Sequence, residues 1–183
     1  MSEFCDRISR LDVISFDKVI GTAAALIPPN QLPLAKTRVS GGIRLLKSES
    51  ELNDYLVAFG EIHRAKLMEF LPHIPFREFV DTGLILVDWG CGQGVASAVT
   101  LDYLRSRSYR VEIRAVRLIE LVRPALNRAR GIIKQYLSSP PCDVQAVEWN
   151  REGMAAICRN LPEGVPVLHL FSNILDVIVQ NPL

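Results

Sequence analysis

The residues best equipped to do chemistry stand behind an apolar run. The stretch "LILVDWGCGQGVA" sets Asp88 ahead of Gly90, Gly92 and Gly94 at alternate positions. Glycine admits backbone angles closed to other residues and removes the side chains that keep a ligand off the main chain. Three alternating glycines exceed what a tight strand-to-helix turn needs. The dinucleotide fingerprint G-x-G-x-x-G/A fits neither register, because its last position falls on Val95 or on Ser97. A carboxylate at Asp88 would repel a pyrophosphate and suits a ligand carrying a cationic amine. Further polar groups follow at intervals: Glu120 closing "VRLIE", Glu148 and Trp149 in "DVQAVEWN", and Ser172, Asn173 and Asp176 in "HLFSNILDV". A glutamate at a strand end offers two oxygens to paired hydroxyl donors.

The elements that must position these groups alternate in type. "LILVD" is a continuous apolar run, as in a strand buried on both faces. Val95, Ala96, Val99 and Leu104 predict a helix to about Arg107, and "VEIRAVRLIE" a second strand. Pro124 suits a first helical turn, and Ala125, Leu126, Ala129, Ile132, Ile133 and Tyr136 continue one apolar face. "DVQAVEW" reads as a third strand, "EGMAAICRNL" as a short helix and "VPVLHLF" as a fourth strand. Such alternation predicts an α/β fold, a mostly parallel sheet with helices on both faces. Upstream, Ser48 and Glu51 have capping-box spacing and open an amphipathic helix over residues 48–71. Its apolar stripe takes in Leu52, Tyr55, Leu56, Phe59, Ile62, Leu67 and Phe70. Residues 1–47 form an N-terminal segment of weak pattern, with a short helix in "DKVIGTAAALI", a short strand in "IRLL" and no evident chemistry. Residues 48–183 are expected to form the ligand-binding domain behind that cover helix.

Bulk properties narrow the class. The chain has 183 residues, 21 Lys plus Arg against 20 Asp plus Glu, and a net charge of +1, so no global field draws nucleic acid or an anionic membrane. Arg123, Arg128, Arg130 and Lys134 read as the solvated face of the second helix. Cys5, Cys91, Cys142 and Cys158 form no C-x-x-C pair, and His63, His73 and His169 are far apart, which offers no metal-ligand spacing. No apolar run has the length of a membrane span, and the N-terminus is too charged for a signal peptide, so the expectation is a cytoplasmic protein. His169 inside "VLHLF" reads as a buried, hydrogen-bonded core histidine, and His63 as an exposed or half-buried structural histidine.

The stretch "VDWGCGQG" resembles the first motif of class I S-adenosylmethionine-dependent methyltransferases, D/E-x-G-x-G-x-G, at all four defining positions. The resemblance implies a Rossmann-like fold and methyl transfer from S-adenosylmethionine to an acceptor by direct displacement. It implies that Gly90, Cys91, Gly92 and Gly94 line the cofactor, that Asp88 orients its amino-acid end, and that Glu120 accepts the ribose hydroxyls. Glu148 and Trp149 fall where the family contacts adenine. Asn173 or Asp176 would stand near the acceptor, with Asp176 the natural base, although both also suit helix capping and a charged first turn. "FSNI" departs from the N/D-P-P-Y/F motif of nucleobase amino methylases. Nothing in the sequence chooses among small-molecule, protein and RNA acceptors.

The resemblance covers residues 84–176. The C-terminal strands of the family's usual seven-stranded sheet are missing, so "VPVLHLF" would be an exposed apolar edge. The expectation is a fragment of a longer protein, a dimer or partner chain on that edge, or "DVISF" or "IRLL" folding back to cover it. The alternative function is a non-catalytic Rossmann-like binding or scaffolding module.

Overall fold

In a computed structural model the described residues are 2–40, 45–138, 142–150, 157 and 161–172. Their sheet has four parallel strands, β1 (Leu84–Trp89), β2 (Ile113–Glu120), β3 (Asp143–Glu148) and β4 (Val167–Phe171), in the order β3-β2-β1-β4. This is an α/β fold consistent with a Rossmann-like sheet. The central strand β1 is buried from Leu84 to Asp88, which explains why it reads as unbroken apolar sequence.

The α-helices bounded within the described residues are α1 (Glu3–Ser9), α2 (Phe16–Ala24), α3 (Ala35–Arg38), α4 (Glu49–Phe70), α5 (Val95–Ser106) and α6 (Arg123–Tyr136). The larger core cluster joins α1, α2, α4, α5 and α6 to Leu84, Leu86, Val116, Leu118 and Val144 on one sheet face. On the other face Ile85, Val87, Ala115 and Ile119 pack with Ile157. The helix expected over "EGMAAICRNL" falls outside the described residues except Ile157, which is helical and buried. Helices on both faces are therefore seen in full only on the α5–α6 side.

Residues before α4 are more structured than their sequence suggests. Phe4, Ile8, Phe16 and Val19 enter the larger core, and α1 packs on α6 while α2 packs on α4 and α5. The capping box of α4 forms as its spacing predicts: the Glu51 N–H donates to Ser48 Oγ at 3.3 Å, and the Ser48 N–H to Glu51 Oε2 at 3.0 Å. The stripe on α4 is only partly right. Leu52 and Leu56 are buried, but Ile62 and Phe70 face solvent because the buried face runs on through Gly60 and His63. Gly60 lets α2 approach closely, since a Cβ there would lie 3.0 Å from Ile20 Cδ1.

β4 borders β1 and has no described strand on its outer side. The expected fold-back of "DVISF" over that edge is corrected: the Phe16 N–H donates to Asp102 Oδ2 at 2.7 Å and Ile14 O accepts from Arg105, so the segment is stitched to α5. Leu45 and Leu46 of "IRLL" are not in a strand, and its first two residues lie outside the described set. No described helix is long and apolar enough to cross a membrane.

Candidate functional site

The chain visits β1, β2 and β3 in one direction and then returns to the other side of β1 with β4. Ligands of open parallel sheets bind beyond the strand ends at such a reversal. The glycine loop leaves β1 there. Gly90, Gly92 and Gly94 all take positive φ, at 61°, 53° and 78°, the left-handed region that glycine enters without a Cβ penalty.

The glycines differ in what surrounds them. A Cβ on Gly92 would meet nothing within 4 Å, so its bare backbone faces open space. A Cβ on Gly94 would come within 3.2 Å of the Ala129 Cα, so this glycine serves the packing of α5 on α6. Gly94 is also the N-cap of α5 and has no side chain to cap with.

Asp88 supplies that cap from the neighbouring strand. Its side chain is 0% exposed, and Oδ2 accepts from the Ser97 N–H at 3.1 Å and the Ser97 Oγ–H at 2.7 Å. A carboxylate at a helix N-terminus satisfies a free backbone donor and faces the positive end of the helix dipole. Oδ1 is buried with no hydrogen-bond partner. Burial pushes the Asp88 carboxyl up to about 7; the two Ser97 hydrogen bonds pull it down, and the nearby Glu120 charge raises it further.

Glu120, at the end of β2, reaches across to the loop. Oε2 accepts from the Gly92 N–H at 2.8 Å and Oε1 from the Val122 N–H at 3.0 Å. Both oxygens keep lone pairs, since an ionised carboxylate accepts at about four sites. Cys91 is buried and its thiol is pushed well up by burial and by the Asp88 and Glu120 charges, so it stays protonated and contributes no nucleophile.

The loop is braced by residues whose role the sequence does not reveal. Gln93 donates from Nε2 to Leu52 O on α4 at 2.9 Å and accepts from Arg128 Nη1 at 3.1 Å. Arg128 also binds Glu49 through Nε at 3.0 Å and stacks over Phe4, 4.1 Å from its ring centre. Its reading as a solvated helix residue is corrected: Arg128 is 1% exposed, because α1 and α4 close over this part of α6. Arg123, Arg130 and Lys134 are exposed as expected.

On the opposite sheet face Trp89 stands parallel to Phe171, with ring centres 5.9 Å apart, and its indole N–H donates to His169 Nδ1 at 3.0 Å. His169 is hydrogen-bonded as expected but exposed, a correction that follows from its place on the outermost described strand. Trp149 meets Trp89 edge to face at 6.0 Å, and Glu148 pairs with Arg123 at 2.9 Å. His63, expected to be exposed or half-buried, is instead buried on α4, where it lies beside Tyr55, 2.9 Å from its hydroxyl, and burial lowers it to about 4.

The structure thus brings Asp88, Gly90, Cys91, Gly92, Gly94 and Glu120 together, with Glu148 and Trp149 at the adjoining strand end. Ser172 follows β4 directly, whereas Asn173 and Asp176 lie outside the described residues. Among the described residues no group of three or more His, Cys, Asp or Glu side chains could hold a metal ion. Comparison of the chain with protein-family models, curated proteins and solved structures finds no match to any of them.

Proposed function

We propose that this chain binds S-adenosylmethionine at the glycine loop and transfers its methyl group to an acceptor by direct displacement. One observation carries the reading: the left-handed, open backbone of Gly92 stands beyond the carboxyl end of β1 with the Glu120 carboxylate against it. The residues present fit that cofactor. Gly90 and Gly92 would lie along its amino-acid part, and Glu120 would use its remaining lone pairs on the ribose hydroxyls. Asp88 would act from beneath, fixing the loop through Ser97 rather than reaching the ligand. Trp149 and Glu148 stand one strand further on, where an adenine would lie. When bound, the cofactor supplies an electrophilic methyl carbon; the protein's part is to hold the acceptor in line, which by itself is worth several orders of magnitude in rate. Asn173 and Asp176 are the residues proposed to face that acceptor.

The second reading is a non-catalytic binding or scaffolding module. It is favoured by the fact that Asp88 spends its hydrogen bonds on Ser97 of α5, and Glu120 spends one on the Gly92 N–H of the loop.

Calorimetric titration with S-adenosylmethionine and S-adenosylhomocysteine separates the two. Binding should weaken at least tenfold in Glu120→Ala and fall in Asp88→Ala, with circular dichroism confirming that each variant folds. Absence of binding to the folded wild-type chain would sink the methyltransferase reading and leave the module.

A further inference from the structure

Asp88 lies wholly out of solvent at the foot of the glycine loop, and its two oxygens are served unequally. Oδ2 accepts twice from Ser97, through the backbone N–H and the Oγ–H, whereas Oδ1 is buried with no hydrogen-bond partner. An ionised oxygen withheld from water without a donor is costly, and a protonated one much less so. A proton on this carboxyl therefore belongs on Oδ1, the oxygen that Ser97 leaves alone.

The groups facing Asp88 decide whether that proton stays. From α5 come the two Ser97 donors and the positive end of the helix dipole, which favour the ionised form. From β2 comes the Glu120 carboxylate, which opposes it, and from the loop the buried Cys91 thiol, which is neutral. The residues in register with Asp88 are Leu118 of β2 and Leu170 of β4, and neither brings charge. Ion pairs among the described residues leave out both Asp88 and Glu120. Two neighbouring carboxyls without a cation resist ionising together. Burial and Glu120 outweigh the Ser97 bonds, and the Asp88 carboxyl stands at about 7.

We infer that the glycine-loop site exchanges a proton for a cationic ligand: Asp88 holds the proton on Oδ1 in the chain by itself, and a positive charge arriving over the loop drives it out to solvent. This rests on reading the loop as the site of S-adenosylmethionine, which carries an ammonium and a sulfonium. Contact with the buried carboxyl is not required, because attraction between charges is damped less in a protein interior than in water. Glu120, bonded to the Gly92 N–H, already acts on Asp88 through space. Ligand and proton then oppose one another, so affinity rises with pH up to the Asp88 value and levels above it.

The test follows the side-chain carboxyl carbons of the aspartate-labelled chain by nuclear magnetic resonance over pH, alone and saturated with S-adenosylhomocysteine, which keeps the ammonium. The Asp88 signal is assigned by its loss in Asp88→Asn or, if that variant does not fold, by through-bond correlation in the wild type. Its midpoint should lie near neutrality in the chain alone and fall by at least one unit in the complex, equivalent to about a tenfold gain in affinity across that window. Calorimetry at pH 7 in two buffers of different ionisation enthalpy should show more proton release from the wild type than from folded Asp88→Asn. An Asp88 midpoint in the ordinary carboxylate range, or one that saturation leaves in place, would overturn the exchange while the binding reading stands. Absence of binding would instead sink that reading, and the exchange with it.

Discussion

At the scale of single residues, Asp88 and the three glycines have distinct tasks that one motif conceals. Asp88 holds α5 in place, and its raised carboxyl makes stability depend on pH in a defined direction. Its ordinary value is 3.8 and its folded value about 7, so between them the folded chain keeps a proton that the unfolded chain has lost. Stability from this group is therefore fully present at low pH and falls as pH rises through that window. The melting temperature of the wild type relative to Asp88→Asn should decline from pH 4 to 7 and level off above it; a difference that stays flat would remove Asp88 as the titrating group. The glycines separate by substitution. Gly92→Ala meets only the backbone cost of its positive φ, about 1–2 kcal/mol, because its Cβ enters open space. Gly94→Ala adds a clash with the Ala129 backbone and should cost clearly more in a urea melt. Ligand binding should show the reverse order, with Gly92→Ala folded yet blocked.

At the scale of elements, α4 connects the N-terminal helices to the loop. Its start is fixed locally by Ser48 and Glu51, and Ser48→Ala should cost about 1 kcal/mol, read as a lowered urea midpoint. Its placement is fixed by distant partners: Leu52 takes the Gln93 amide, and Glu49 takes Arg128 from α6. The first kind of information was legible, since a capping box and an apolar stripe are patterns within a few residues. The second was not. Nothing in "RPALNRARGIIK" distinguishes the buried Arg128 from the exposed Arg130 until α1 and α4 close over one side of that helix. Ile62 and Phe70 show the same limit, because a helical period gives a face but not how far along it a neighbour extends.

At the scale of the whole molecule, the sheet leaves β4 outermost among the described strands, with Val167 and Phe171 exposed, Phe171 by 62%. Outer apolar strands invite pairing, and charge on them suppresses it. The chain should therefore self-associate with rising concentration in sedimentation velocity, and Val167→Lys with Phe171→Lys should return it to a monomer. A wild-type chain that stays monomeric would remove the expectation of a partner at this edge.

What the sequence determined by itself was local and periodic: four strands, the helices α5 and α6 between the first three of them, the start of α4, and a glycine loop preceded by Asp88 and followed by Glu120 at the next strand end. These are set by burial patterns and backbone freedom, which each residue carries with its neighbours. Only the tertiary structure decided which way those groups face. Asp88 turned inward to cap α5, Glu120 spanned to the Gly92 N–H, His169 came to the surface, and Arg128 was closed over by α1 and α4. Such outcomes depend on residues far apart in the chain meeting in one place, and no short window of sequence contains both partners.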